Sequence, residues 1–210
     1  MKGQVLVLIA IVVSIVIILI GVEADYVSSL HTREIKEGKD VVNTLENLKE
    51  EYMRIVSISL SNDKSLKNLN EDIMDFSAFV DRNLASKQSL LFYSASEVED
   101  GFLKIFVGNF KDEDIIDVTV DQNLTDEEIE IDEVGRGGSE MVKFNISSAM
   151  PSNYSVNISY LGSSSNKFYQ EIYMCRADDT NRFNVYYDLK VSLEDSYVSE
   201  RFQINEGLNG

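Results

Sequence analysis

The chain has 210 residues, of which 44% are hydrophobic and 10% aromatic, and its 36 acidic and 19 basic side chains give a net charge of −17. This apolar content is too high for a disordered chain and suffices for one ordinary domain with additional segments. Nucleic-acid binding requires clustered lysine and arginine side chains that displace counterions from phosphates, so this acidic composition predicts no nucleic-acid partner.

The chain opens with an apolar segment, MKGQVLVLIAIVVSIVIILIG, in which residues 5–22 carry no charge. As a helix rising about 1.5 Å per residue, this run spans roughly 27 Å, close to the thickness of a bilayer core. Because Lys2 precedes the run, the positive-inside rule predicts a cytoplasmic N-terminus and an extracellular remainder. We therefore predict a single membrane-spanning helix or signal-anchor within residues 1–24. Signal-peptide cleavage after Ala24 is the alternative.

The residues directly before this run, Lys2, Gly3 and Gln4, resemble the class III signal of archaeal type IV pilin-like proteins. The resemblance implies that a prepilin peptidase cuts between Gly3 and Gln4. It also implies that the retained helix serves first as membrane anchor and then as filament core. Many such signals carry Glu at the fifth mature position, where this chain has Leu8. That difference favours a minor or capping subunit, or an uncleaved anchor.

The next region, residues 25–88, is predicted to form a helical stalk. Apolar side chains recur there at steps of three and four, first at Val41, Leu45, Leu48, Tyr52 and Ile55, and then at Leu66, Leu69, Ile73, Phe76, Val80 and Leu84. This spacing is typical of one apolar face on each of two helices. A polar break at residues 61–65 predicts an antiparallel pair, with Asn70 as the N-cap of the second helix. The seams are expected either to pack on each other or to mediate self-association, together with the N-terminal helix.

From residue 89 to residue 206 the apolar period changes to 2, which predicts seven to nine short strands and an antiparallel β-sandwich. Alternation is most regular over residues 183–193. The sequence Glu99-Asp100-Gly101 predicts a tight turn, and residues 135–138, Gly-Arg-Gly-Gly, predict a hairpin turn rather than a phosphate-binding loop. Residues 103–120 resemble the strand-turn-strand of immunoglobulin-like surface domains in archaeal envelope proteins.

Four Asn-X-Ser/Thr triplets lie in this predicted outer domain, at Asn123, Asn145, Asn153 and Asn157. Strand alternation places Asn145 and Asn157 on the face opposite the core, where a glycan fits. We predict glycosylation of at least one of the four. Chance occurrence is the alternative, since Asn and Ser are common in this chain.

No arrangement of residues predicts catalysis, a cofactor or a metal site. Residues 111–133 contain 11 acidic side chains, but their spacing does not follow a calcium-binding loop, so we expect a solvated acidic face with a calcium site as the alternative. The single histidine, His31, lies far in sequence from the single cysteine, and no Cys/His or Ser/His arrangement can be assembled. Cys175 ends a strand-like run and is expected to be packed rather than reactive.

These features predict an α+β fold with an N-terminal transmembrane helix, a helical stalk and a C-terminal antiparallel β-sandwich. The expected function is that of a membrane-anchored extracellular structural protein, a pilin-like subunit of an archaeal surface filament or of its assembly apparatus. The alternative is a non-polymerising single-pass surface receptor or adhesin. Its sandwich would bind a surface-layer component or a partner cell.

Overall fold

The computed structural model of the protein describes residues 41–62, 65–83, 90–146, 153–176, 181–193 and 196–207. The predicted processing site at Gly3 and Gln4, the apolar run at residues 5–22 and His31 lie outside these ranges. Within them, no helix combines the length and the apolar character that crossing a membrane requires. The described residues form a mostly β fold with two helices and two antiparallel sheets.

The order of elements follows the sequence-based prediction of helices before strands. Helix α1 is described over residues 41–61, and α2 is Leu66–Asn83. The strands are β1 Leu90–Glu99, β2 Phe102–Asn109, β3 Ile115–Gln122, β4 Glu128–Val134, β5 Gly138–Asn145, β6 Asn153–Gly162, β7 Phe168–Arg176, β8 Asn181–Leu193 and β9 Ser196–Gly207. The described residues contain nine strands, all after residue 89, in agreement with the seven to nine that the change of apolar period predicted, and β8 contains the regular alternation of residues 183–193.

The start of α2 differs from the predicted cap. The helix begins at Leu66, so Asn70 lies in its second turn and the N-cap prediction was wrong. Ser65 takes the capping role, because its Oγ accepts a hydrogen bond from the backbone N–H of Asn68 at 3.3 Å. The side chain of Asn70 instead reaches the sheet, where its Oδ1 accepts a hydrogen bond from the Tyr93 hydroxyl.

The strands form a five-stranded sheet of order β5-β2-β1-β8-β9 and a four-stranded sheet of order β4-β3-β6-β7. Between β1 and β2, Asp100 and Gly101 both have positive φ, 52° and 79°, which confirms the tight turn predicted there. The prediction of a hairpin at residues 135–138 was wrong. The segment does turn, but β4 pairs with β3 and β5 pairs with β2, so it crosses from one sheet to the other.

The described residues stack in three layers, since the five-stranded sheet is covered by the helices on one face and by the four-stranded sheet on the other. The helices are antiparallel, as predicted, because Tyr52 hydrogen-bonds Ser77 at 2.9 Å whereas the later Ser59 bonds the earlier Asp72 at 3.1 Å. The apolar faces of the two helices pack on the five-stranded sheet as well as on each other. The Tyr52 ring also lies 5.0 Å from that of Tyr187 in β8, because this face of the sheet is apolar.

Strand β8 is buried on both faces. Phe183, Val185 and Tyr187 are fully buried against the helix layer. The alternate residues Asn184 and Asp188, only 1% and 6% exposed, face the other sheet. Apolar–polar alternation is typical of a strand with one solvated face. In β8, by contrast, the polar face is enclosed between the two sheets.

Candidate functional site

Between the sheets, two carboxylates are buried beside one arginine and two tyrosines. Glu171 in β7 is 1% exposed; its carboxylate accepts hydrogen bonds from the hydroxyls of Tyr186 at 2.6 Å and Tyr160 at 3.5 Å. The Arg201 guanidinium lies 3.3 Å from Glu171 Oε1 and 3.8 Å from Asp188 Oδ2. We call these five residues the acid–tyrosine cluster. It joins strands of both sheets.

Burial shifts the pKa values of Asp188, Tyr186 and Tyr160 in this cluster. It raises the pKa of the Asp188 carboxyl, and the Arg201 guanidinium opposes that shift. The Tyr186 pKa is raised by burial and by the hydrogen bond that its hydroxyl donates to Glu171. The Tyr160 pKa is also raised, mainly by burial. Both phenols therefore stay neutral and remain hydrogen-bond donors, which suits a fixed structural network.

A second polar network continues along the same interface. Ser96 Oγ lies 2.8 Å from the Tyr154 hydroxyl and 3.5 Å from Cys175 Sγ, and Asn184 donates to Tyr154 at 3.2 Å. Burial raises the pKa of the Cys175 thiol to about 11. This thiol is packed, as predicted, and stays protonated at neutral pH.

A pocket of about 290 Å³ adjoins the acid–tyrosine cluster and is lined by Leu91, Lys111, Asp112, Glu113, Ser164 and Tyr169. We call it the Lys111 pocket. Lys111 is only 9% exposed, and its Nζ lies 3.9 Å from the ring centroid of Tyr169 and 5.5 Å from that of Tyr160. Burial lowers the pKa of Lys111, although Asp188 and Glu171 oppose the shift.

One wall of this pocket is a carboxylate held by two serines. Glu113 accepts hydrogen bonds from the backbone N–H and the hydroxyl of Ser164, at 2.9 and 2.7 Å, and from those of Ser165, at 2.8 and 2.7 Å. These bonds lower the pKa of Glu113 to about 2. A Cβ on Gly162 would lie 2.3 Å from Glu113 Oε1 and 2.4 Å from Ser165 Oγ, so a side chain there would displace these two groups. The hydrogen bonds between Glu113 and the two serines connect the loop after β2 to the β6–β7 turn.

A larger groove, about 620 Å³, lies where α2 meets β2 and β5. Leu66, Phe106 and Met141 form its apolar part. Its charged lining is mixed, with lysines and glutamates contributed by the helix and by the strands. This mixture identifies no single ligand chemistry.

The four predicted glycosylation sites lie on the outside of the described structure. Asn123, Asn145 and Asn153 are exposed, and Asn157 is half-buried on the outer face of β6. The side-chain oxygens of Asn123 and Asn157 accept hydrogen bonds, from Ser155 N at 2.8 Å and from Gln170 Nε2 at 3.0 Å. Their modification stays a prediction.

Every acidic side chain of residues 111–133 is exposed or half-buried, in keeping with a solvated acidic face. Among the described residues, no three His, Cys, Asp or Glu side chains converge as metal ligands would. The calcium alternative therefore gains no support from their arrangement.

The two edge strands of the four-stranded sheet differ in chemistry. Strand β4 exposes acids, which protect an edge against pairing with other strands. Strand β7 instead exposes three large apolar side chains, Phe168, Ile172 and Met174, at 65%, 63% and 60%. We call these three residues the β7 stripe. These three side chains leave apolar surface exposed along one edge of the sheet.

The buried charges were missed by sequence reasoning. Lys111 is the only basic residue of the acidic stretch at residues 111–133, and Glu171 and Asp188 occupy ordinary polar positions of strands. A usable signal was the frequency of tyrosine in β6, β7 and β8, since buried phenols require hydrogen-bond partners.

Comparison with known proteins found no match: no family model, no curated protein and no solved structure is similar to this chain.

Proposed function

We propose that this protein is a membrane-anchored extracellular structural protein, a pilin-like subunit of an archaeal surface filament or of the apparatus that assembles it. The observation that carries the proposal is the uncharged run at residues 5–22, directly after Lys2, Gly3 and Gln4. Cleavage between Gly3 and Gln4 would retain the run as anchor and filament core. The N-terminus would then be cytoplasmic and the sandwich extracellular.

The β7 stripe supports this proposal from the described part of the chain. Three large apolar side chains on an edge strand are a hazard for an isolated molecule, because edges recruit further strands. They become useful where a neighbouring subunit covers them. The outward position of the four glycosylation triplets also suits a domain that faces the environment.

The first test is the intact mass of the protein purified from its native membrane, combined with mapping of the N-terminal peptide. We expect a chain that begins at Gln4. A chain that begins at Met1 would contradict the filament role, and one that begins at Asp25 would also remove the anchor. A Gly3→Val variant is the matched control, since it should retain Met1 if a peptidase reads the small residue.

The second candidate is a non-polymerising receptor or adhesin with a permanent anchor. The Lys111 pocket favours this function, because a cavity lined by a buried ammonium is not needed to build a filament. This candidate predicts a retained Met1 and a monomer in detergent, whereas the first predicts processing and self-assembly.

A further inference from the structure

Among the residues that the structure describes, no side chain or carbonyl accepts a hydrogen bond from the Lys111 ammonium. It lines the Lys111 pocket from a side chain nine-tenths buried, and it lies over the ring faces of Tyr169 and Tyr160. An ammonium group carries three N–H donors, and here they open on the space of the pocket. The pocket therefore offers donors to an acceptor that comes from outside the chain.

The two carboxylates of the pocket are already engaged elsewhere. Glu113 receives four hydrogen bonds from Ser164 and Ser165, and Asp112 lies 3.3 Å from Arg136 Nη2. Two carboxylates nevertheless line the pocket beside the ammonium, so an anion that approaches Lys111 is repelled. Lys111 in turn repels a cation. The charges at the pocket thus favour a neutral ligand.

The remaining lining and the volume narrow the chemistry further. Leu91 adds an aliphatic surface and Tyr169 an aromatic one, while Asp112 and Ser164 can accept hydrogen bonds. A volume of about 290 Å³ equals that of about ten water molecules in the liquid. A small ring with apolar C–H groups and several hydroxyls matches this size and this mixture of donors, acceptors and apolar surface.

We propose that the Lys111 pocket binds one neutral sugar ring. Ring or hydroxyl oxygens accept hydrogen bonds from Lys111 Nζ, hydroxyls donate to Asp112 or Ser164, and a C–H face lies against Leu91. This binding goes beyond the proposed structural role and does not depend on how the N-terminus is processed, so each can fail without the other.

Saturation-transfer NMR on the full chain tests the assignment. The detergent must be zwitterionic, because alkyl glycosides would compete for the pocket. The probes are glucose, galactose, mannose and N-acetylglucosamine, each titrated separately, and sodium acetate serves as the anionic probe. We expect saturable binding of at least one sugar and an affinity at least tenfold lower in Lys111→Met.

Lys143→Met is the matched control, because Lys143 Nζ also lies over an aromatic ring, 3.6 Å from the centroid of Phe102, but does not line the pocket. This variant should bind as the unmodified chain does. The proposal is overturned if none of the four sugars gives saturable binding, or if Lys111→Met binds as tightly as the control. Lys111-dependent binding of acetate in place of sugar would also overturn it.

A second measurement covers the case in which Lys111→Met does not fold. Acetylation of the unmodified chain with acetic anhydride is followed peptide by peptide, with and without the binding sugar. The sugar should slow acetylation of Lys111 at least threefold and leave the rate at Lys143 unchanged. Equal rates at Lys111 with and without sugar would exclude the pocket as the binding site.

Discussion

The two faces of β8 are both buried, but they are stabilised in different ways. Toward the helices, Phe183, Val185 and Tyr187 contribute mainly apolar area, which is worth about 1.5–3 kcal/mol for a large side chain. Toward the second sheet, Asn184 and Asp188 contribute polar groups instead. A hydrogen bond there adds only about 1 kcal/mol net, but a partner left unmatched costs about 1–3 kcal/mol.

This difference teaches that equal burial does not imply equal response to substitution. Truncating a side chain in the helix-facing layer should lower the free energy of unfolding, because that layer is stabilised by van der Waals contact and by the burial of apolar surface. In the layer between the sheets, removing a hydrogen-bond partner should lower the free energy of unfolding, because the buried polar group left behind has no water to replace that partner. Substitutions on the two faces of one strand can therefore test the contrast directly.

The largest effect is expected on the apolar face. Phe183→Ala should destabilise the protein by about 3–5 kcal/mol, because a fully buried ring is lost and the surrounding layer cannot close the space. Equilibrium urea unfolding measures the change. The matched control is Ile172→Ala on the β7 stripe, where we expect a change within about 0.5 kcal/mol. Similar losses at both positions would contradict the layered core.

On the polar face, a single variant that strands a hydrogen-bond donor should lose more stability than the double variant that also removes the donor. Glu171→Met leaves the Tyr186 hydroxyl without its acceptor and should lose about 2 kcal/mol. Adding Tyr186→Phe removes that stranded donor, while Tyr160 and Arg201 still lack Glu171, so the double variant should lose about 1 kcal/mol less than Glu171→Met alone. Urea unfolding of both single variants and of the double variant gives the coupling. Additive losses would show that the pair is not coupled.

Two neighbouring tyrosines of the helix-facing layer should respond with opposite signs. The Tyr187 hydroxyl is the one fully buried side-chain polar atom without a hydrogen bond among the described residues, so Tyr187→Phe should stabilise the fold by about 1 kcal/mol. Tyr93→Phe should instead destabilise by about 1 kcal/mol, since the Tyr93 hydroxyl donates to Asn70. Thermal unfolding of both variants distinguishes the signs. A lower melting temperature of Tyr187→Phe would contradict this prediction and indicate that the Tyr187 hydroxyl has a hydrogen-bond partner.

The smallest expected effect is a pH dependence of stability that comes from the hydrogen bonds between Glu113 and the two serines, Ser164 and Ser165. Hydrogen bonds from Ser164 and Ser165 lower the pKa of Glu113 to about 2, below the ordinary value of 4.5. The carboxylate therefore stabilises the fold above pH 4.5, and this contribution is lost as the pH falls from 4.5 to about 2. The melting temperatures of the unmodified chain and of Glu113→Gln should differ above pH 4.5 and converge near pH 2. Asp132→Asn controls for the loss of one exposed charge.

Much of the fold was predictable because strand period and turn chemistry are local. The change of apolar period near residue 89 predicted the strand region, the alternation of residues 183–193 falls in β8, and Asp100 and Gly101 form the predicted tight turn. The candidate pocket was not predictable in the same way. Leu91, Lys111 and Tyr169 come from β1, the loop after β2 and β7, and no spacing in sequence relates them.

The amino-acid sequence by itself determined the order of helices and strands, the packed thiol of Cys175 and the uncharged run at residues 5–22, because periodicity and hydropathy act over neighbouring residues. Only the tertiary structure decided that the helices cover a sheet, that residues 135–138 cross between sheets and that the polar face of β8 is enclosed. Those outcomes depend on which surfaces meet, and an alternating strand exposes or buries its polar side according to what the rest of the chain places against it.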